Sequence, residues 1–191
     1  TKIDIIITPL ITIGIGAAVG LIMSPPISRF MTSLGNLIMF SMDQQPFIMG
    51  ILVSVIMGIL LTLPISSAAI GVILNLSGIT AGAATVGCCC QMVGFAVASY
   101  RENKFGGLLA QGIGTSMLQI PNIIRKPIIW LPSIISSAIL GPIASTVLKM
   151  TNNATGSGMG SAGFVGQIMT YETMVETMAP NTVLFLIVIM H

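Results

Sequence analysis

The chemistry open to this chain rests on a few polar side chains set in apolar surroundings. Asn75, Gln91, Gln111, Gln119, Asn122 and Gln167 are neutral amides, each a donor and an acceptor at once. In a low dielectric such groups bind hydroxyls without holding a permanent charge, which is expensive there. A site for a sugar or polyol would be built from several of them plus one carboxylate. The competing role for each amide is a hydrogen bond between helices, about 0.6–2 kcal/mol a pair. Glu172 and Glu176, spaced i and i+4, are the acidic residues that follow Glu102. Facing a cavity, either could bind hydroxyls or couple to protons; facing water, both are ordinary solvated helix charges.

A second candidate is backbone. Gly156-Ser-Gly-Met-Gly160-Ser-Ala-Gly163, with Asn152 and Asn153 just upstream, offers closely spaced N–H groups. Around Gly158 and Gly160 these could cradle an oxygen-rich ligand; a flexible loop outside the membrane is the equal alternative. Other chemistries lack their parts. The single histidine is His191, so no His-based triad or zinc site can be assembled. The sequence contains no GxxxxGK[ST] nucleotide loop. Cys88, Cys89 and Cys90 are consecutive, and helical neighbours point about 100° apart, so three thiols cannot converge on one metal. They read as small packing residues, with redox or lipidation roles as the alternatives. Asp4 and Asp43 fall near span ends, where a solvated role is expected. No cofactor is implied.

The elements that position these groups follow from composition. Only 6% of the 191 residues are charged, 54% are hydrophobic, and the mean hydropathy is +1.01. An ordinary soluble domain carries about a quarter charged residues to cover its surface. Seven basic against five acidic residues leave +2, which does not support a nucleic-acid footprint. Stretches 5–28, 44–100, 105–124, 127–148 and 150–171 carry no charge. A spanning helix needs roughly 20 apolar residues, and lipid-exposed backbone must satisfy its own hydrogen bonds. The alternation of a membrane β-barrel is absent. The expected fold is therefore all-α, a polytopic transmembrane helical bundle with broken or re-entrant helices. Residues 1–191 form one membrane-embedded domain within it, whose partners are the lipid bilayer and a small polar solute.

Along the chain, a first span covers residues 5–23 and includes Gly16-x-x-x-Gly20, a close-packing spacing. Ser24-Pro25-Pro26 is expected to stop it. Residues 27–42 then read as a separate amphipathic helix, at the interface or packed in the bundle. Pro46 to Leu63 is a clean span. A straight helix over 66–99 would reach roughly 50 Å, beyond the hydrocarbon core, so it must tilt or break. The break is expected between Asn75 and Gly82. Phe105 to Ile120 is too short and polar for a span and is expected to re-enter as a hairpin or half-helix. Pro127 to Leu148 is a span that Pro132 and Pro142 can kink. Gln167 to Met178 is a short helix, and Pro180 opens a last apolar run. With 66–99 crossing once, Arg29, Arg101, Lys104, Arg125 and Lys126 share one side, against Lys2 and Lys149 on the other. That bias places the first side in the cytoplasm. The start at Thr1 and the short run ending at His191 suggest a segment of a longer protein.

Three segments together carry a family resemblance: Gln119-Ile-Pro-Asn-Ile-Ile-Arg-Lys-Pro127, Gly156-Ser-Gly-Met-Gly-Ser-Ala-Gly-Phe-Val-Gly-Gln167, and the uncharged stretch Gly71 to Gly87. They resemble the enzyme IIC-like membrane proteins of the bacterial phosphotransferase system, in the branch that includes the perfringolysin O regulator. The resemblance implies a multi-pass protein of the bacterial inner membrane that binds and translocates a carbohydrate near the bilayer midplane. It implies a homodimer, re-entrant hairpins forming the site, and phosphorylation on separate soluble phosphocarrier subunits, so that this chain is not itself an enzyme. By position it implies Asn122, Arg125, Gly158, Gly160 and Gln167 as substrate-binding residues, beside Asn75, Gln111 and Glu172 from the residue reading. The branch is also described as regulatory, which leaves a non-transporting membrane sensor of the same fold as the alternative.

Overall fold

In the computed structural model the backbone is described over residues 4–191 and side chains from Ile11 onward. The described residues form helices and turns with no strand, apart from one isolated bridge between Gly78 and Asn152. Residues up to Leu37 make one compact unit and Ile38–His191 a second.

The first unit is α1 (Asp4–Met42), whose last residues begin the second. It differs from the expectation of two helices, because it runs unbroken through Pro25 and Pro26. Proline locks φ near the helical value, so a pair costs two N–H donors and local crowding without forbidding the turn. In a membrane helix that loss is tolerated where neighbouring helices, Ser/Thr side chains or local changes of winding satisfy the freed carbonyls. Its stretch Ile11–Met42 is 32 residues long and contains an 18-residue window of mean hydropathy 1.6. At 1.5 Å per residue it is about 48 Å long, so it must tilt or emerge from the hydrocarbon layer.

In the second unit three helices pack on one another: α2 (Pro46–Thr62), α4 (Gly78–Ala98) and α7 (Leu131–Pro142). Without a hydrophobic force between helices in lipid, close packing of small residues and hydrogen bonds must hold them. That is what these faces supply. The α-carbon of Gly87 lies so close to the backbone carbonyl of Ser54 that a Cβ there would overlap it. Ser54 Oγ donates to Ser137 O at 2.8 Å, and Ser137 Oγ donates to Ser133 O at 2.9 Å and Gly87 O at 3.3 Å. Ser145 Oγ reaches back to Pro46 O at 2.8 Å. Cys88, Cys89 and Cys90 are buried in these interfaces, in keeping with the packing role their sequence suggests.

The break expected between residues 75 and 82 is present. A short helix, α3 (Ser67–Ile73), is capped by Ser66, whose Oγ accepts from Ala69 N at 3.2 Å. Asn75 and then Gly78, the first residue of α4, take left-handed φ of 49° and 59°. After α4 the chain turns directly into α5 (Tyr100–Leu109), continued by a wider π turn over Ala110–Gly114. Thr115 is extended, and the chain returns through a 3₁₀ turn and α6 (Ile120–Arg125). This is the hairpin expected for 105–120, and its limbs are too short to span at about 1.5 Å per residue. A 3₁₀ turn (Pro127–Trp130) leads into α7, which ends in a π turn at Ile143–Val147. Pro142 sits at that change of winding, where its missing donor removes one α-type bond.

Asn152 ties the last third together. It is 1% exposed, and its Nδ2 donates to Thr85 Oγ1 at 2.7 Å, Thr170 Oγ1 at 3.0 Å and Gly166 O at 3.2 Å. The short α8 (Ala154–Ser157) is capped by Asn153, and α9 (Val165–Met174) and α10 (Pro180–Met190) follow. Val183, Ile187 and Met190 of α10 close a core with Val86, Cys90, Ala144, Met150 and Met174.

Candidate functional site

Polar side chains collect where the hairpin meets the end of α4. Gln111, in the π turn, is 3% exposed, and Gln119, on the return limb, is 6% exposed. Gln119 Nε2 donates to Gln111 Oε1 at 2.8 Å, and Gln111 Nε2 donates to Ser99 Oγ at 2.8 Å. Asn122 Nδ2 donates to Gln119 Oε1 at 2.9 Å. The result is a directed chain, Asn122 to Gln119 to Gln111 to Ser99, in which each inner amide spends one oxygen and one N–H on its neighbours. The i, i+3 spacing puts Gln119 and Asn122 on one face of the return limb, and the turn at Thr115 folds that face onto Gln111.

Two recesses flank the chain. The larger, about 550 Å³, lies between the end of α4 and α6. Glu102 and Asn103 line one wall, Gln119, Asn122, Arg125 and Lys126 the other, and Phe95 and Ile129 give apolar contact. The smaller, about 400 Å³, is the groove inside the hairpin, walled by Gly106, Gly107, Ala110, Gln111 and Leu118. Asn103, Gln119 and Asn122 border both. Amides, a carboxylate and two cations around an apolar patch are a fit for a hydroxyl-rich solute, which presents both donors and acceptors beside C–H faces.

The tip of the hairpin is held from below. Ser116 Oγ and Thr62 Oγ1 are 3.0 Å apart, and Gln91 Oε1 accepts from Trp130 Nε1 at 2.9 Å and from Thr62 Oγ1 at 3.5 Å. Gln91 is fully buried, and its Nε2 has no partner.

A family model described as the phosphotransferase system, EIIC, matches residues 1–191. The chain belongs to the phosphotransferase-system EIIC family. As an EIIC protein it is a multi-pass membrane transport component of that system, in keeping with three helices, among the described residues, long and apolar enough to cross: Ile11–Met42, Gly78–Ala98 and Pro127–Val147. No curated protein and no solved structure matches it.

The candidate residues of this EIIC chain fall into four places. Gln111, Asn122 and Arg125 come together at the hairpin. Gly158 and Gly160 lie in a packed turn: Gly158 O accepts from Ser67 Oγ at 2.7 Å, and Gly160, with φ 53°, abuts the backbone of Cys88. The N–H groups around them are engaged locally, Gly156 N on Asn153 Oδ1 at 2.9 Å, Met159 N on Gly156 O at 3.2 Å and Gly166 N on Gly160 O at 3.0 Å. Gln167 lies on α9 with Nε2 3.9 Å from Cys89 Sγ and a buried, unpartnered Oε1. Asn75 is exposed at the α3–α4 turn, and Glu172 is exposed on α9. Neither lines a recess described here. Ser99, Glu102, Asn103 and Lys126 were not singled out from sequence, since nothing in it pairs residues 99–103 with 119–126; the return of the hairpin does.

Proposed function

We propose that this EIIC chain binds and translocates a neutral, hydroxyl-rich solute of sugar or polyol type, held first at the hairpin recess. The amide chain Asn122–Gln119–Gln111–Ser99 is the observation that carries the reading. It fixes the orientation of two buried amides and leaves the remaining N–H and oxygen of Asn122 beside Arg125 and Glu102. Asn122, Arg125 and Gln111 are the binding residues in this reading, with Gln119 added. Gly160 packs against α4 at Cys88, and Gly158 against α3 at Ser67. The chain works as a homodimer in the bacterial cytoplasmic membrane, with the recess facing the cytoplasm by its basic flank, and phosphorylation falls to separate soluble carriers.

The test is a thermal-shift screen of the detergent-purified full-length protein against sugars, polyols and ascorbate. A ligand that binds the folded state alone stabilises it by about 2.7 kcal/mol at a hundredfold excess over Kd. A selective shift with a sugar or polyol that is lost in Asn122→Ala supports the reading; ascorbate, an anion at neutral pH, is the charged comparison. No shift with any of them, from protein shown to be folded, overturns it in favour of a non-transporting membrane regulator.

A further inference from the structure

A second group of polar side chains lies beneath the larger recess, three of them one step along their own element from a residue that lines it. Gln91 is one helical turn before Phe95 on α4, and Trp130 follows Ile129. Ser116 precedes Gln119 by three residues in a 3₁₀ turn, a spacing that aligns the two. Thr62, at the end of α2, completes the group, its Oγ1 3.0 Å from Ser116 Oγ and 3.5 Å from Gln91 Oε1. Gln91 stands seven residues before Ala98, the end of α4, about 10 Å along its axis.

One donor in this group is unused. An indole N–H can only donate, so the Gln91 atom 2.9 Å from Trp130 Nε1 is the oxygen, and the orientation of the amide is fixed. Its Nε2 is buried on a side chain that is 0% exposed, and pairs with nothing. An unpaired buried donor costs about 1–3 kcal/mol, and hydrocarbon offers it no acceptor. An oxygen-bearing molecule entering from the recess above offers one.

We infer that the solute site extends from the recess down to Gln91, that Gln91 Nε2 donates to a solute oxygen, and that Trp130 is the aromatic wall of this deeper part. This rests on the proposed binding of a hydroxylated solute and names what holds it beyond the hairpin amides. A free amide N–H, the hydroxyls of Thr62 and Ser116, and an indole face for C–H groups make a set suited to a sugar or polyol. No ionisable side chain is among them, and burying an ion there is costly, so the deeper part selects a neutral solute. Ile129 and Trp130, half-buried together on the four-residue turn Pro127–Trp130, are the side chains that shift to admit it.

Trp130 is the single tryptophan of the sequence, so its emission reports on this place. The experiment titrates the detergent-purified full-length protein with a panel of neutral hexoses and hexitols, reading melting temperature and tryptophan emission together. A hexose or hexitol that raises the melting temperature is expected to change the emission over the same concentrations, and Trp130→Phe is expected to abolish that change. In the melting assay Gln91→Met is expected to weaken binding about tenfold, near the upper end of what one neutral hydrogen bond contributes. Trp130→Phe, which keeps an aromatic ring and leaves Gln91 Nε2 in place, is expected to bind nearly as the parent does. A hexose or hexitol that shifts melting but leaves Trp130 emission unchanged stops at the recess, which overturns the extension and leaves the binding reading standing. Equal weakening by Gln91→Met and Trp130→Phe overturns it too, because the loss then belongs to the bond between those two side chains. No melting shift with any of the panel, from folded protein, overturns both. The emission titration needs no substitution at Gln91, so it decides the matter even where Gln91→Met folds poorly.

Discussion

Ser116, at the tip of the hairpin, sits with its hydroxyl 3.0 Å from that of Thr62, the last residue of α2, and both side chains are fully buried. The contact joins the start of the return limb to the packed helices beneath it. Thr62→Val keeps the shape and removes the hydroxyl, leaving Ser116 without its partner. We expect a loss of about 0.5–2 kcal/mol, with Thr62→Ser near neutral. Thermal unfolding in detergent reads it, and equal midpoints for Thr62→Val and the parent protein would show that the hairpin tip is not anchored here.

Gly87→Ala places a methyl group against the Ser54 carbonyl. The obstacle is backbone, so no rotamer change relieves it, and overpacking of this kind costs about 1–3 kcal/mol or more. Gly106→Ala, where a Cβ meets nothing within 4 Å, is the matched control and is expected to be tolerated. Yield and monodispersity after extraction compare the two. A well-behaved Gly87→Ala with unchanged melting would contradict the close approach of α2 and α4.

Asn152 makes a prediction about sign. Its Nδ2 serves Thr85, Thr170 and the Gly166 carbonyl, while Oδ1 accepts from Asn153 N at 2.8 Å. Asn152→Asp turns the donor into a second acceptor facing those oxygens and buries a charge, so it is expected to destabilise by several kcal/mol, more than Asn152→Ala. Melting curves of both variants decide it; the reverse order would mean that packing outweighs the hydrogen bonds at this position.

Lys104 adopts φ 52° and ψ −152° within α5, a backbone region that is essentially glycine's. Lys104→Gly should therefore stabilise the protein by about 1 kcal/mol. A lower melting temperature for the glycine variant would show that the lysine side chain outweighs its own backbone strain.

Cys88, Cys89 and Cys90 are at most 7% exposed. A charged thiol reagent is expected to leave them untouched in the folded protein and to modify all three after denaturation, which mass spectrometry can count. Labelling of the native protein would place water where the structure has packed helices.

Much of the architecture was legible because its causes are local. An uncharged run closed by Pro64 marked α2, and Asn75 with Gly78 marked the break, since both residue types tolerate a left-handed φ. The hairpin was legible from length: a segment too short and polar to cross has to turn back. Pro25-Pro26 misled because proline breaks a membrane helix less readily, where neighbouring helices, Ser/Thr side chains or local changes of winding satisfy the freed carbonyls. The glycine-rich 156–163 segment was undecidable for another reason. Glycine serves an open cradle and a crowded contact equally, and only the neighbours Ser67 and Cys88, distant in sequence, distinguish the two. Gln111 and Asn122 were found as amides, but their connection through Gln119 depends on how the hairpin closes, which no single limb encodes.

The meeting of Gly87 with the Ser54 carbonyl also sets what can move. A carbonyl seated on a bare α-carbon fits at one register, and sliding α4 by a residue would drive the side chain of Val86 or Cys88 into it. Helices α2 and α4 are therefore locked into one body. The backbone that departs from the helix lies outside that pair, at Lys104 and Thr115 of the hairpin, which is where a hinge could form.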